Sequence, residues 1–83
     1  MMPVDEARQK IEELRGVYGG SVEEGDTTLS GRSVHYLKLL FGDSGPRAGD
    51  HDKIVNDFNL RKFDYETITI FGNSVIAEIV LYQ

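Results

Sequence analysis

FDYETITIFGNSVIAEIVLY, residues 63–82, is the stretch whose reading decides the fold. Two runs rich in Ile, Val, Thr and aromatic residues flank Gly72-Asn73, which is a strong local signal for an antiparallel β-hairpin. Two registers are open. A two-residue loop pairs Ile70 with Val75 and Ile68 with Ala77. It gathers Ile68, Ile70, Val75, Ala77, Ile79 and Leu81 on one face, with Asp64 and Glu66 at its far end. A three-residue loop, residues 72–74, pairs Phe71 with Val75. It gathers Phe63, Tyr65, Phe71, Val75, Ala77, Ile79 and Leu81 with Thr67 and Thr69. The two-residue loop is preferred because its twist matches that of the strands. In either register the other face keeps large apolar or aromatic groups, so the hairpin asks for a second cover, a helix or another subunit.

Outward from the hairpin, residues 4–18 read as an amphipathic helix. Val4, Ala7, Ile11, Leu14 and Val17 or Tyr18 recur at three- and four-residue spacing. Asp5 is the expected N-cap, Glu6 with Lys10 and Arg8 with Glu12 are one turn apart, and Gly19-Gly20 stops the helix. Residues 21–31, SVEEGDTTLSG, read as a short hairpin turning at Glu24-Gly25-Asp26. Residues 32–41, RSVHYLKLLF, read as a strand with Val34, Tyr36, Lys38 and Leu40 on one face and His35, Leu37, Leu39 and Phe41 on the other. Residues 42–50, GDSGPRAGD, are a loop by composition. Asp50 then caps a short helix over 51–59 with Ile54, Val55 and Phe58 on its apolar side. The expected order is α-β-β-β-α-β-β. That makes residues 1–83 a single α+β domain, an antiparallel sheet of four or five strands with the first helix across one face and the short helix near an edge.

A chain of 83 residues buries only about 60–65% of its unfolded surface. That is enough for a sound core and too little for a deep, multi-step active site. There is no cysteine, which excludes disulfides, thiolate zinc sites and cysteine nucleophiles and fits a reducing cytoplasm. The opening MMPVDEARQK lacks the apolar core of a secretory signal. No apolar run approaches the roughly 20 residues a membrane span needs. The formal charge is −5, from 14 acidic and 9 basic residues. Residues 1–31 carry seven acids and three bases, net −4; residues 32–83 carry seven acids and six bases, net −1. A chain of this sign is poorly suited to gripping a phosphate backbone, so direct nucleic-acid binding is not expected.

Three constellations invite a chemical reading. GDSGP at 42–46 resembles the GDSGGP that surrounds the nucleophile of chymotrypsin-like serine proteases, but it lacks the second glycine. That family also needs two barrels and far more chain, so Ser44 reads as a turn residue. Asp43, Asp50, His51 and Asp52 form the densest ligand-capable cluster, yet the spacing departs from the helix–loop–helix calcium pattern. Only His35 and His51 offer imidazoles, and no phosphate-cradling loop, dinucleotide fingerprint or metalloprotease helix is present. The chain is therefore expected to be no enzyme and to need no cofactor or metal.

What is left is recognition. Tyr65, Phe71 and Tyr82 are the aromatic residues left over whichever hairpin face packs inward, and tyrosine on an otherwise acidic surface suits protein contacts. Glu12, Glu13, Glu23, Glu24 and Asp26 supply an acidic rim, with Arg61 and Lys62 near the base of the hairpin. The expected function is a small cytoplasmic adaptor or inhibitor that binds another protein with a basic surface. Small inhibitors encoded by phages or mobile elements, anti-CRISPR proteins among them, share this general profile, a likeness of class that rests on no motif. The alternatives are a homo-oligomer, such as a homodimer, built through the apolar hairpin or its terminal strand, and a small-ligand or metal-binding domain using loop 42–52.

Overall fold

The computed structural model describes residues 3–70 and 74–83, and for Lys62 and residues 64–70 the backbone alone. Helix α1 (Val4–Tyr18) leads into strands β1 (Ser21–Leu29) and β2 (Arg32–Leu40). A connection with 3-10 turns at Gly42–Ser44 and Ala48–Asp50 follows, then helix α2 (His51–Asp57), a third 3-10 turn at Leu60–Lys62, and strands β3 (Asp64–Ile70) and β4 (Val75–Tyr82). The strands form one antiparallel sheet in the order β1-β2-β4-β3. The class is α+β, as expected, and α1 spans the residues its periodicity predicts.

The order is α-β-β-α-β-β, which corrects the expected three strands between the helices. Glu24-Gly25-Asp26 is not a turn. β1 runs straight through it, pairing Glu24 with Leu37, Gly25 with Tyr36 and Asp26 with His35. The chain reverses instead at Ser30-Gly31, where both residues have positive φ (50° and 77°) between the paired Leu29 and Arg32. A two-residue hairpin turn demands that backbone, and serine followed by glycine can supply it. The caps also differ. Pro3, not Asp5, holds the N-cap position of α1, with its carbonyl accepting from the amides of Glu6 and Ala7. Asp50 precedes α2 without a side-chain cap bond, and α2 stops at Asp57 rather than at residue 59.

The last hairpin uses both candidate registers. Ile70 pairs with Val75 and Thr69 with Ile76, as a two-residue loop requires; Gly72-Asn73 itself lies outside the described residues. A bulge then intervenes, and Ile68 pairs with Glu78, Thr67 with Ile79 and Tyr65 with Leu81, the register of the three-residue loop. The expected Ile68–Ala77 pair is absent because Ala77 is the extra residue. Its carbonyl accepts from the Phe41 amide at 2.8 Å. The bulge has a packing consequence: Ile76, Ile79 and Leu81 all join the core, although Ile76 and Ile79 are an odd number of residues apart.

That core lies between the helices and one face of the sheet. Ala7, Ile11 and Leu14 of α1 meet Leu37 and Leu39 of β2, Ile76, Ile79 and Leu81 of β4, and Ile54, Leu60 and Phe63. Tyr18 closes one end, its ring 6.3 Å from Phe41 in an edge-on contact and 6.0 Å from Phe58. Burying each such side chain contributes about 1.5–3 kcal/mol. The connection after β2 is pinned to β4: the Ile76 amide donates to the Pro46 carbonyl at 2.8 Å and the Ala48 amide to the Ser74 carbonyl at 3.1 Å. The opposite face of the sheet carries Tyr36, Lys38, Glu78, Val80 and Tyr82 and has no helix over it among the described residues.

Candidate functional site

β1 is an edge strand: β2 lies on one side of it and no strand on the other. Its residues are exposed almost from end to end. It carries Glu23, Glu24 and Asp26 and no lysine or arginine. The pleat divides these acids. Glu24 and Asp26 stand opposite Leu37 and His35 on the helix side, and Glu23 stands opposite Lys38 on the open face.

On the helix side, Arg8 of α1 grips Glu24 with two contacts, Nε to Oε1 at 3.2 Å and Nη2 to Oε2 at 2.6 Å. His35 lies between the two acids, Nε2 at 2.8 Å from Glu24 Oε2 and Nδ1 at 3.0 Å from Asp26 Oδ1. A neutral imidazole carries a single N–H, so two donations to carboxylates require the imidazolium. The electrostatics agree. The hydrogen bond to Asp26 raises the His35 pKa above its ordinary value, partial burial opposes this, and the bond to Glu24 adds to the rise. The Glu24 carboxyl is held below the usual range, chiefly by the Arg8 hydrogen bond and, against some burial, by His35.

On the open face, the Tyr36 hydroxyl donates to Glu23 Oε2 at 2.9 Å, which raises the pKa of the phenol. Lys38 Nζ lies 3.6 Å from both Glu23 and Glu78 and 5.5 Å from the centre of the Tyr36 ring. Burial lowers the Lys38 pKa, but Glu78 and Glu23 outweigh it and the net shift is upward. Tyr36, Lys38 and Glu78, with Asp26, Thr27, Val80 and Tyr82, line an open depression of about 280 Å³. Gly25 makes room for the phenol, since a Cβ there would stand 3.1 Å from the Tyr36 hydroxyl.

The residues singled out in the sequence therefore scatter. Glu23, Glu24 and Asp26 come together on β1, and Tyr82 joins Asp26 in the lining of the open-face depression. Glu12 and Glu13 sit on exposed α1, held by Arg15 at 3.3 Å and Lys10 at 3.1 Å. The Tyr65 backbone pairs with Leu81, and Phe71 lies outside the described residues. Sequence reasoning missed Arg8, His35, Tyr36, Lys38 and Glu78. Strand alternation was signal enough to set Tyr36 with Lys38, but nothing local shows that Arg8 reaches Glu24 across sixteen positions.

In loop 42–52, as elsewhere among the described residues, no three of His, Asp and Glu are grouped so that they could hold an ion. His51 Nδ1 lies 3.2 Å from Asp52. Ser44 occupies a 3-10 turn, its amide donating to the Phe41 carbonyl at 3.3 Å, while both nitrogens of His35 are engaged by β1 carboxylates. No described helix is long and apolar enough to cross a membrane. No protein-family model, curated protein or solved structure matches the chain.

Proposed function

We propose that the chain is a non-catalytic protein-binding domain, an adaptor or inhibitor, whose acidic surface around β1 meets a basic surface on another protein. The observation that carries this reading is the exposed edge strand holding Glu23, Glu24 and Asp26 with no basic residue of its own. Acidic groups arranged this way steer a basic partner and select against acidic ones. Tyr36 and Tyr82 on the adjoining open face add aromatic area of the kind that anchors protein contacts. A cytoplasmic setting belongs to the same reading and is supported by the absence of cysteine.

The test is charge removal at constant fold. Glu12, Glu13, Glu23, Glu24 and Asp26 are changed together to Gln or Asn, and circular dichroism confirms the fold. Wild type and variant are then compared for retention of basic proteins from the native host at low and high salt. The reading expects salt-sensitive retention by the wild type and its loss in the variant. Equal retention by both would refute it.

A further inference from the structure

Resting on that reading, we propose that the partner is engaged by strand addition: a basic extended segment pairs its backbone with the free edge of β1 and sets alternate Lys or Arg side chains against Glu24 and Asp26 on the helix side of the sheet.

The edge is built for pairing. The β1–β2 ladder is continuous over nine residue pairs without a bulge, so β1 is a straight template. No described backbone hydrogen bond joins β1 to any element but β2. In an antiparallel ladder, half of an edge strand's amides and carbonyls face away from its neighbour. β1 also lacks proline and lysine, two of the devices that usually blunt an edge. Strand addition supplies affinity through the backbone and specificity through alternate side chains.

Charge decides the occupant. If a second copy of β1 paired antiparallel about Gly25, Glu24 would face Asp26 twice over, and like charges directly opposed in a sheet are destabilising. A segment with basic residues at alternate positions, set opposite Glu24 and Asp26, reverses that sign on the helix side of the sheet. Val22 and Leu29, 40% and 38% exposed near the two ends of the strand, offer apolar contact for the aliphatic stems of such residues. Arg8 and His35 already hold Glu24 and Asp26 in place from behind the strand, so these carboxylates are ordered before a partner arrives.

The experiment is an amide NMR titration of the full chain with two synthetic peptides of the same length as β1. One alternates Lys and Thr; the other has the same side chains with every second backbone nitrogen methylated. Strand addition expects the first peptide to shift the amide resonances of β1 and slow their hydrogen exchange. It expects the methylated peptide to bind roughly tenfold or more weakly, because it keeps the charge and loses its donors. Equal binding of both peptides, or shifts confined to other elements, overturns strand addition while leaving an acidic docking surface standing. Binding of neither peptide overturns strand addition together with the reading on which it rests.

Discussion

His35 Nε2 lies 2.8 Å from the Glu24 Oε2 atom that also takes the 2.6 Å contact from Arg8, so one carboxylate of the edge strand is gripped from β2 and from α1 at once. A single side chain thereby ties β1, β2 and α1 together at the edge of the sheet.

This grip predicts a pH dependence. The folded pKa of His35 is raised, so its contribution to stability is complete below the unfolded value of about 6.5 and is lost as pH rises through the folded value. The Glu24 pKa is lowered, so its contribution is present above the unfolded value of about 4.3 and is lost as pH falls through the folded value. Thermal melts followed by circular dichroism should show highest stability between about pH 5 and about pH 6.5, falling on both sides. His35→Gln should flatten the alkaline limb. A wild-type melting temperature that stays constant above neutrality would show that the imidazolium bridge contributes nothing.

Arg8→Ala should cost little stability in urea unfolding, because Arg8 is half exposed, its partner Asp5 is almost fully so, and a solvated ion pair gains little. Asp26→Asn should lower the His35 pKa, since Asp26 is the largest cause of the shift, whereas Arg8→Ala should not lower it, because it removes a positive charge and keeps both carboxylates. Proton NMR titration of the imidazole reads both effects. The reverse ranking would mean that Asp26 is not the main partner.

Gly45→Ala should destabilise by about 2 kcal/mol or more. An added Cβ would collide with the Ile76 carbonyl oxygen, a backbone atom of β4 that cannot swing aside, and with the Phe41 side chain. Gly49→Ala is the control, since nothing lies within 4 Å of its Cβ. It should stay within about 0.5 kcal/mol of wild type in urea unfolding. Similar losses in the two variants would contradict the close approach.

Leu39→Ala and Ile79→Ala should each cost about 2–5 kcal/mol, a large part of the stability of so small a domain. Both side chains are fully buried between sheet and helices. Val17→Ala, at a position 64% exposed on α1, should change urea midpoints little. A Leu39→Ala loss as small as that of Val17→Ala would place the core elsewhere.

Light scattering at low salt should return the mass of one chain over about a hundredfold range of concentration, because the acidic edge repels its own copy. A dimer at low salt would show that the charge of the edge does not keep two copies apart.

Much of this fold is legible locally. α1 follows from the spacing of Ala7, Ile11 and Leu14, and the two faces of β2 follow from alternation, with Leu37, Leu39 and Phe41 inward and Tyr36 and Lys38 outward. β1 misled because Glu-Gly-Asp has turn chemistry while Ser30-Gly31 has the turn, and the difference lies in pairing with β2 rather than in propensity. The bulge was hidden because each uniform register satisfied part of the hairpin, and only the contact with Phe41 and the core selects a mixture. At the site, the acids of β1 were readable as a cluster. Their partners Arg8 and His35 were not, because they arrive through tertiary contacts.

The bulge carries a consequence for how this chain tolerates change in length. From Ile76 onward β4 reads inward, then Ala77, then outward at Glu78, inward at Ile79, outward at Val80 and inward at Leu81. Ala77 is the one residue outside the alternation. Its deletion would leave the neighbouring side chains on the faces they already hold and merge the two halves of the ladder into a single register, at the expense of the Phe41 amide bond. Deletion one position to either side would remove Ile76 from the core or Glu78 from Lys38. A single-codon deletion scan of β4 should thus find one tolerant site between two intolerant ones, the imprint that an inserted residue leaves on a strand that has absorbed it.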